Sequence, residues 1–282
     1  MHDLTPLEPG VMFWAGRDSI EEVRALGVRC GQLGVPGEMP LSAALASQWK
    51  ASLAKEGLRI ATVFAAYEGE DYADIPTVRR TVGFVPPETR DARERRTCEA
   101  IDFAARLGVA GFACHIGCIP EDLGDPDSSA VRDLVRRISD RCAAHGQTFA
   151  LETGQEPAEA LLRFISGVDR ANLGINFDPA NMILYGTGEP LEALRALAPR
   201  VLSVHCKDAV RPLKNKPEAL GTECPLGRGE VGIQGFVRTL AACGYRGQLH
   251  VEREGVDHAK WLREVADAIA LLRQTVDSLP PQ

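Results

Sequence analysis

Short apolar runs alternate along the whole chain with stretches whose apolar residues recur at helical spacing. That alternation predicts βα units feeding a parallel sheet, because buried strands read as continuous apolar runs and covering helices as one-sided stripes. Candidate strands end near Trp14, Leu33, Phe64, His115, Glu152, Asp178, His205 and Glu252, which makes eight units. Between the fourth and fifth, Val131, Leu134, Val135, Ile138 and Cys142 share one helical face; Trp261, Val265, Ile269 and Leu272 do the same near the end. Gly27, Gly57, Gly108, Gly146 and Gly244 each follow a helical stretch and precede a strand, the place where a left-handed residue closes a helix.

Eight such units with no Pro/Ser-rich linker between them predict an α/β protein with one (β/α)8 TIM barrel domain over residues 1–282. The open doubly wound sheet is the competitor. Its G-x-G-x-x-G turn is missing after the first strand, where Trp14-Ala15-Gly16-Arg17-Asp18 stands. The gaps after the third and seventh strands are long and rich in Gly, Pro and charge. Ala66 to Arg90 and Cys206 to Gln234 are therefore expected to be extended loops roofing the C-terminal ends of the strands, where function sits on this fold.

Composition narrows the function. With 45% hydrophobic and 25% charged residues the chain has ample material for a large core. A net charge of −7 argues against a nucleic-acid partner, which a basic footprint would announce. No run reaches the ~18 apolar residues of a membrane span, and the first residues lack the pattern of a signal peptide, so a soluble cytoplasmic protein with no membrane partner is expected. Its 8 cysteines then read as reduced thiols. Cys114, His115 and Cys118 lack the second pair that a structural zinc site needs.

The chemistry lies at four strand ends: Ala150-Leu151-Glu152, Asn176-Phe177-Asp178, Ser203-Val204-His205 and His250-Val251-Glu252. Side chains alternate along a strand, so Leu151, Phe177, Val204 and Val251 are expected to face the helices while the three acids and the histidine face the barrel axis. Such groups are costly inside a barrel unless paired or coordinated. Two Glu, one Asp and one His form an oxygen-rich set suited to one divalent cation, Mn, Mg or Co, with positions left for substrate oxygens.

Glu152-Thr-Gly-Gln-Glu156, Asn176-Phe-Asp-Pro-Ala-Asn181, His205-Cys-Lys-Asp208, Gly227-Arg-Gly-Glu-Val231 and Gly244-Tyr-Arg-Gly-Gln-Leu-His-Val-Glu252 resemble the sugar phosphate isomerase/epimerase family, the xylose-isomerase-like barrels. The likeness runs from about Arg17 to Leu272, with its specific motifs after Ala150. Motif layout is most similar to ketose 3-epimerases, hydroxypyruvate isomerase and inosose dehydratase. The resemblance implies a metal held by Glu152, Asp178, His205 and Glu252. It also implies an isomerase or epimerase that acts on a ketose or keto-sugar through a metal-bound enediolate, with Glu152 and Glu252 as acid and base.

Arg211, six residues after His205, matches the arginine that binds substrate hydroxyls in those epimerases. Lys207 shares the inward parity of His205 and is expected either on substrate or paired with Asp208 or a neighbour. His115 falls on the inward face of the fourth strand and is expected to hydrogen-bond substrate or a metal ligand. Asn181 stands where the epimerases carry a substrate-binding histidine. Glu156 stands near a position where they carry another glutamate, which here is Ala158. Trp14, with Phe64 and Tyr67, is expected to wall the sugar ring. His250 is expected to be a buried packing residue. Loss of water or an aglycone from a keto-sugar, keto-cyclitol or 3-keto-glycoside on the same site is the alternative reaction. An apurinic-endonuclease-like activity and a non-catalytic barrel are more remote. A homo-oligomer is compatible with all of these.

Overall fold

The computed structural model describes residues 6–120, 122, 124–213, 215 and 218–280. In chain order they form β1 (Pro9–Trp14), α1 (Ile20–Ala25), β2 (Cys30–Val35), α2 (Ala43–Glu56), β3 (Arg59–Ala65), α3 (Ile75–Thr81), α4 (Pro87–Leu107), β4 (Gly111–Cys114) and α5 (Pro126–Ala144). There follow β5 (Thr148–Glu152), α6 (Ala158–Val168), β6 (Leu173–Phe177), α7 (Pro179–Tyr185), α8 (Pro190–Leu197) and a 3-10 turn (Ala198–Arg200). The chain continues through β7 (Val201–Cys206), β8 (Asp208–Val210), β9 (Thr222–Cys224), α9 (Ile233–Ala242), β10 (Leu249–Val251) and α10 (His258–Asp277).

Eight of these strands close into a parallel barrel in the order β1-β10-β7-β6-β5-β4-β3-β2. Alternation sorts their side chains as the pattern predicts. Phe13, Leu33, Val63, Phe112, Leu151, Phe177, Val204 and Val251 join the apolar layer beneath the helices. Met12, Phe64, Ala113 and Ala150, with Trp14 against them, fill the barrel axis. The polar side chains of β5, β6, β7 and β10 point into the same interior, so the site and the outer core are produced by one periodicity. All five glycines expected to close helical stretches have positive φ.

The two long gaps are more ordered than loops. The first holds α3 and the start of α4, tied down by Glu70, whose carboxylate accepts from Gly83 N at 2.9 Å and Tyr67 N at 3.2 Å. The second holds an antiparallel hairpin, β8 with β9. Below the hairpin, Asp208 accepts from Gly227 N (2.9 Å), Gly229 N (2.9 Å) and Val231 N (3.1 Å). A Cβ at position 229 would lie 2.2 Å from Asp208 Oδ1, so a glycine there is required by the carboxylate it wraps. The Gly227-Arg-Gly-Glu-Val231 motif is thus a backbone cradle for Asp208. No helix among the described residues is long and apolar enough to cross a membrane.

Candidate metal centre and the cavity above it

Each of four strand ends delivers one side chain to the same point. Glu152 is the last residue of β5, His205 lies in β7, and Glu252 follows β10 directly. Asp178 follows β6 and caps α7, its Oδ1 accepting from Ala180 N at 2.8 Å and Asn181 N at 3.3 Å. The other oxygen, Oδ2, is buried and accepts no hydrogen bond. One ligand atom from each of the four residues lies within 4.8 Å of all the others, and all four residues are buried. His205 Nδ1 is 3.1 Å from Glu152 Oε1, 3.2 Å from Glu252 Oε2 and 4.0 Å from Asp178 Oδ2.

A hydrogen-bond chain beneath these residues decides which histidine nitrogen faces the carboxylates. Asn176 Nδ2 donates to Glu152 Oε2, so Asn176 Oδ1 accepts, from Ser203 Oγ and from Gln32 Nε2 at 3.0 Å. Gln32 Nε2 also faces His250 Nδ1 at 3.3 Å. Gln32 Oε1 is then the acceptor for His205 Nε2 at 2.9 Å. A neutral His205 carries its proton on Nε2, and the lone pair of Nδ1 points at three carboxylates. Acceptors that converge on a lone pair need a cation between them. With Asp178 Oδ2, which accepts no hydrogen bond, this makes the residues present fit a divalent metal held by one nitrogen and three carboxylates.

In the metal-free protein a proton takes the place of that cation. Burial pushes the Asp178 carboxyl well above its usual range, against the pull of Lys207 and with the repulsion of Glu152 and Glu252. Burial alone would lower His205, yet Glu152 and Glu252 hold its imidazolium well above its usual range. Burial would also raise Glu252, but His205 and Lys207 keep it well below the ordinary carboxylate value. Lys207 Nζ lies 2.9 Å from Glu252 Oε2, 3.7 Å from Glu223, and 3.8 Å from both Asp178 and Glu254. It therefore pairs across the site with four carboxylates. Asp208, its sequence neighbour, is spent on the backbone cradle instead.

Above this cluster opens a cavity of about 610 Å³, lined among others by Trp14, Phe64, His115, Asn181, Lys207 and Glu252. Asn181 Nδ2 donates to Glu152 Oε1 at 3.3 Å and to Thr153 O at 3.1 Å. His115 Nδ1 accepts from Gln155 Nε2 at 3.2 Å, which leaves Nε2 to carry the ring proton, and burial lowers the imidazolium so that the ring is neutral. Phe64 stacks edge-on to His115 with ring centroids 5.9 Å apart. Four sequence candidates for substrate binding are therefore in the lining: Trp14, His115, Asn181 and Lys207.

Two others lie elsewhere. The Arg211 guanidinium donates to Glu230 Oε2 and Glu189 Oε1, both at 2.6 Å, on the exposed side of the hairpin and outside the cavity lining. Glu156 is buried and accepts from Ile119 N at 2.7 Å, joining two rim loops, and it too is outside the lining. Tyr67 turns into the outer core and hydrogen-bonds Thr97 at 2.7 Å. Gln32 and Asn176 belong to the site without having been candidates in the sequence. Asn176 carried a usable signal, since it sits two residues before Asp178 and so shares its inward parity.

A family model described as xylose isomerase-like TIM barrel matches residues 20–275, and the chain belongs to that family. Over 96% of its length it resembles the crystal structure of a xylose isomerase domain protein from Planctomyces limnophilus, covering 98% of that chain with 39% identity and a TM-score of 0.91. A xylose isomerase-like TIM barrel protein from Mycobacterium smegmatis in complex with magnesium is 19% identical at TM-score 0.69, with 97% of each chain covered. D-psicose 3-epimerase with D-tagatose from Clostridium cellulolyticum H10 is 18% identical at TM-score 0.69, covering 95% of this chain and 99% of that one. A stretch of 149 residues, 51% of this chain, is 30% identical to the uncharacterized protein YihM of Escherichia coli (strain K12), and the match spans 45% of that protein.

Proposed function

We propose that the protein is a divalent-metal-dependent epimerase or isomerase of a keto-sugar, in which Glu152 and Glu252 move the proton. The observation that carries this is the pair of carboxylates, Glu152 and Glu252, that meet at His205 Nδ1 at 3.1 and 3.2 Å, with Glu252 in the wall of the cavity. A divalent cation bound by Glu152, Asp178, His205 and Glu252 would polarise a sugar carbonyl and acidify the neighbouring C–H. The structural likeness to D-psicose 3-epimerase supports a ketose as the kind of molecule concerned.

The two glutamates sit in different surroundings, as an acid/base pair requires. Glu252 is held ionised beside the Lys207 ammonium, so it starts as the unprotonated partner. Glu152 takes hydrogen bonds from Asn176 and Asn181 on its two oxygens, which hold its carboxylate still. Trp14 and Phe64 offer apolar surface to a sugar face, and His115 offers an N–H to a hydroxyl. Proton removal by one glutamate and return by the other on the opposite face inverts the carbon.

Elimination from the same deprotonated sugar is the second reading. It draws on Lys207, a cationic donor in the cavity wall beside Glu252 that can assist a departing hydroxyl. Incubation with a keto-sugar panel in heavy water tests both. Deuterium uptake at the carbon next to the carbonyl, falling by about 10² or more in Glu152→Gln and Glu252→Gln, is expected. A product that differs in mass from its substrate only by the deuterium taken up identifies an isomerase, and loss of water or an aglycone a lyase. Turnover without exchange in a fully active Glu252→Gln protein would defeat the two-glutamate scheme.

A further inference from the structure

We infer that the substrate of this cavity is an uncharged sugar, and that Glu223 and Glu254 exclude its phosphorylated or carboxylated counterparts. This rests on the proposed sugar chemistry and adds the charge class of the substrate.

Every cation in the cavity wall already has acidic partners. Lys207, buried, is enclosed by Glu252, Glu223, Asp178 and Glu254 within 3.8 Å. Arg253 Nη1 donates to Glu223 Oε1 at 2.7 Å and to the Glu254 carbonyl at 2.8 Å, and its Nε donates to Glu264 Oε2 at 2.6 Å. Lys260, half exposed, lies 3.7 Å from Glu264. Of the lining acids, Glu70 is spent on backbone amides and Glu252 belongs to the proposed metal centre, which leaves Glu223 and Glu254 beside Lys207 and Arg253. His115 adds no charge because burial holds it neutral.

Three backbone elements of the kind that receives a phosphate are occupied as well. Glycine-rich loops and helix N-termini bind anions through free N–H groups. Here the amides of Gly227, Gly229 and Val231 are spent on the carboxylate of Asp208. The first turn of α7 is spent on Asp178, and that of α10 on Asp257 through Lys260 N. At these three positions the chain's own carboxylates take the place of an anionic ligand. A phosphate carrying about −1.5 to −2 charge would face Glu223 and Glu254 without a free partner, a penalty worth about five- to tenfold in affinity per carboxylate.

Matched pairs decide this: ketohexoses and their 6-phosphates, assayed by deuterium uptake with metal-loaded protein. The neutral member is expected to have a kcat/KM at least about tenfold above its phosphate. Glu223→Gln and Glu254→Gln should each shrink that ratio about five- to tenfold. Because Glu223 also braces Arg253, the Glu254 variant guards against a folding defect. A phosphate handled as well as the neutral sugar, or a ratio unmoved in both variants, overturns the inference. If no member exchanges, the proton-transfer proposal fails on its own. Calorimetric titration of the metal-loaded protein with the same pairs then still decides the charge question, tighter binding of the phosphate overturning it and tighter binding of the neutral sugar supporting it.

Discussion

His205 Nε2 donates to Gln32 Oε1 at 2.9 Å, and this one contact turns the other ring nitrogen toward Glu152, Asp178 and Glu252. The polarity is forced rather than chosen, because Asn176 must donate to the Glu152 carboxylate and Gln32 must donate to Asn176. Two amides from β2 and β6 thereby orient two members of the metal cluster on β5 and β7. Gln32→Leu removes the acceptor while keeping an inward side chain. Metal affinity measured by calorimetry should fall about 10–100-fold, and stability should fall by about 1–3 kcal/mol from the polar groups left unpaired.

Asp178→Asn separates stability from binding. The asparagine side chain can still accept from Ala180 N and Asn181 N at the helix cap, while the buried carboxylate oxygen that accepts no hydrogen bond is gone. In chelator-treated protein the variant should therefore melt at the same temperature as the wild type or about 2–4 °C above it. Added Mn should raise the melting temperature of the wild type and leave the variant unmoved, since a ligand stabilises only the form that binds it. A variant that melts lower without metal and still responds to it would show that Asp178 is a structural cap alone.

Arg211→Ala should change little. Its partners Glu189 and Glu230 are exposed, and such pairs contribute about 0–1 kcal/mol. With the guanidinium outside the cavity lining, kcat/KM for any substrate found should stay within about twofold. A large fall in kcat with an unchanged melting temperature would instead return Arg211 to the substrate.

Gly229→Ala probes the roof. The new methyl group would collide with Asp208 Oδ1 and break up the cradle that holds residues 227–231. A cost of about 1–3 kcal/mol is expected, with faster proteolytic cleavage in that loop. Unchanged stability and cleavage would mean that the cradle does not anchor the roof.

Period-two alternation made most of the barrel legible, because strands buried on both faces leave little freedom in where an inward acid can point. Glu152, Asp178, His205 and Glu252 each follow a bulky apolar residue that belongs to the outer core, and that contrast is visible in the chain itself. Gln32 was hidden, since it lies within an apolar strand far from any motif and its role exists only once β2 closes near β7 through the barrel interior. The β8–β9 hairpin was hidden by its shortness, three residues a side in a stretch dominated by turn formers. Arg211, six residues after His205, is paired with Glu189 and Glu230 beyond the end of β8, a placement that spacing alone does not reveal.

The metal content of the protein is the most direct test of the centre. Wild-type protein incubated with Mn, desalted and analysed for metal should retain close to one ion per chain, while Asp178→Asn and Glu152→Gln, folded by circular dichroism, should each retain less than about a tenth of that. Wild-type protein that retains no ion, or variants that keep the full amount, would contradict a metal centre built from Glu152, Asp178, His205 and Glu252.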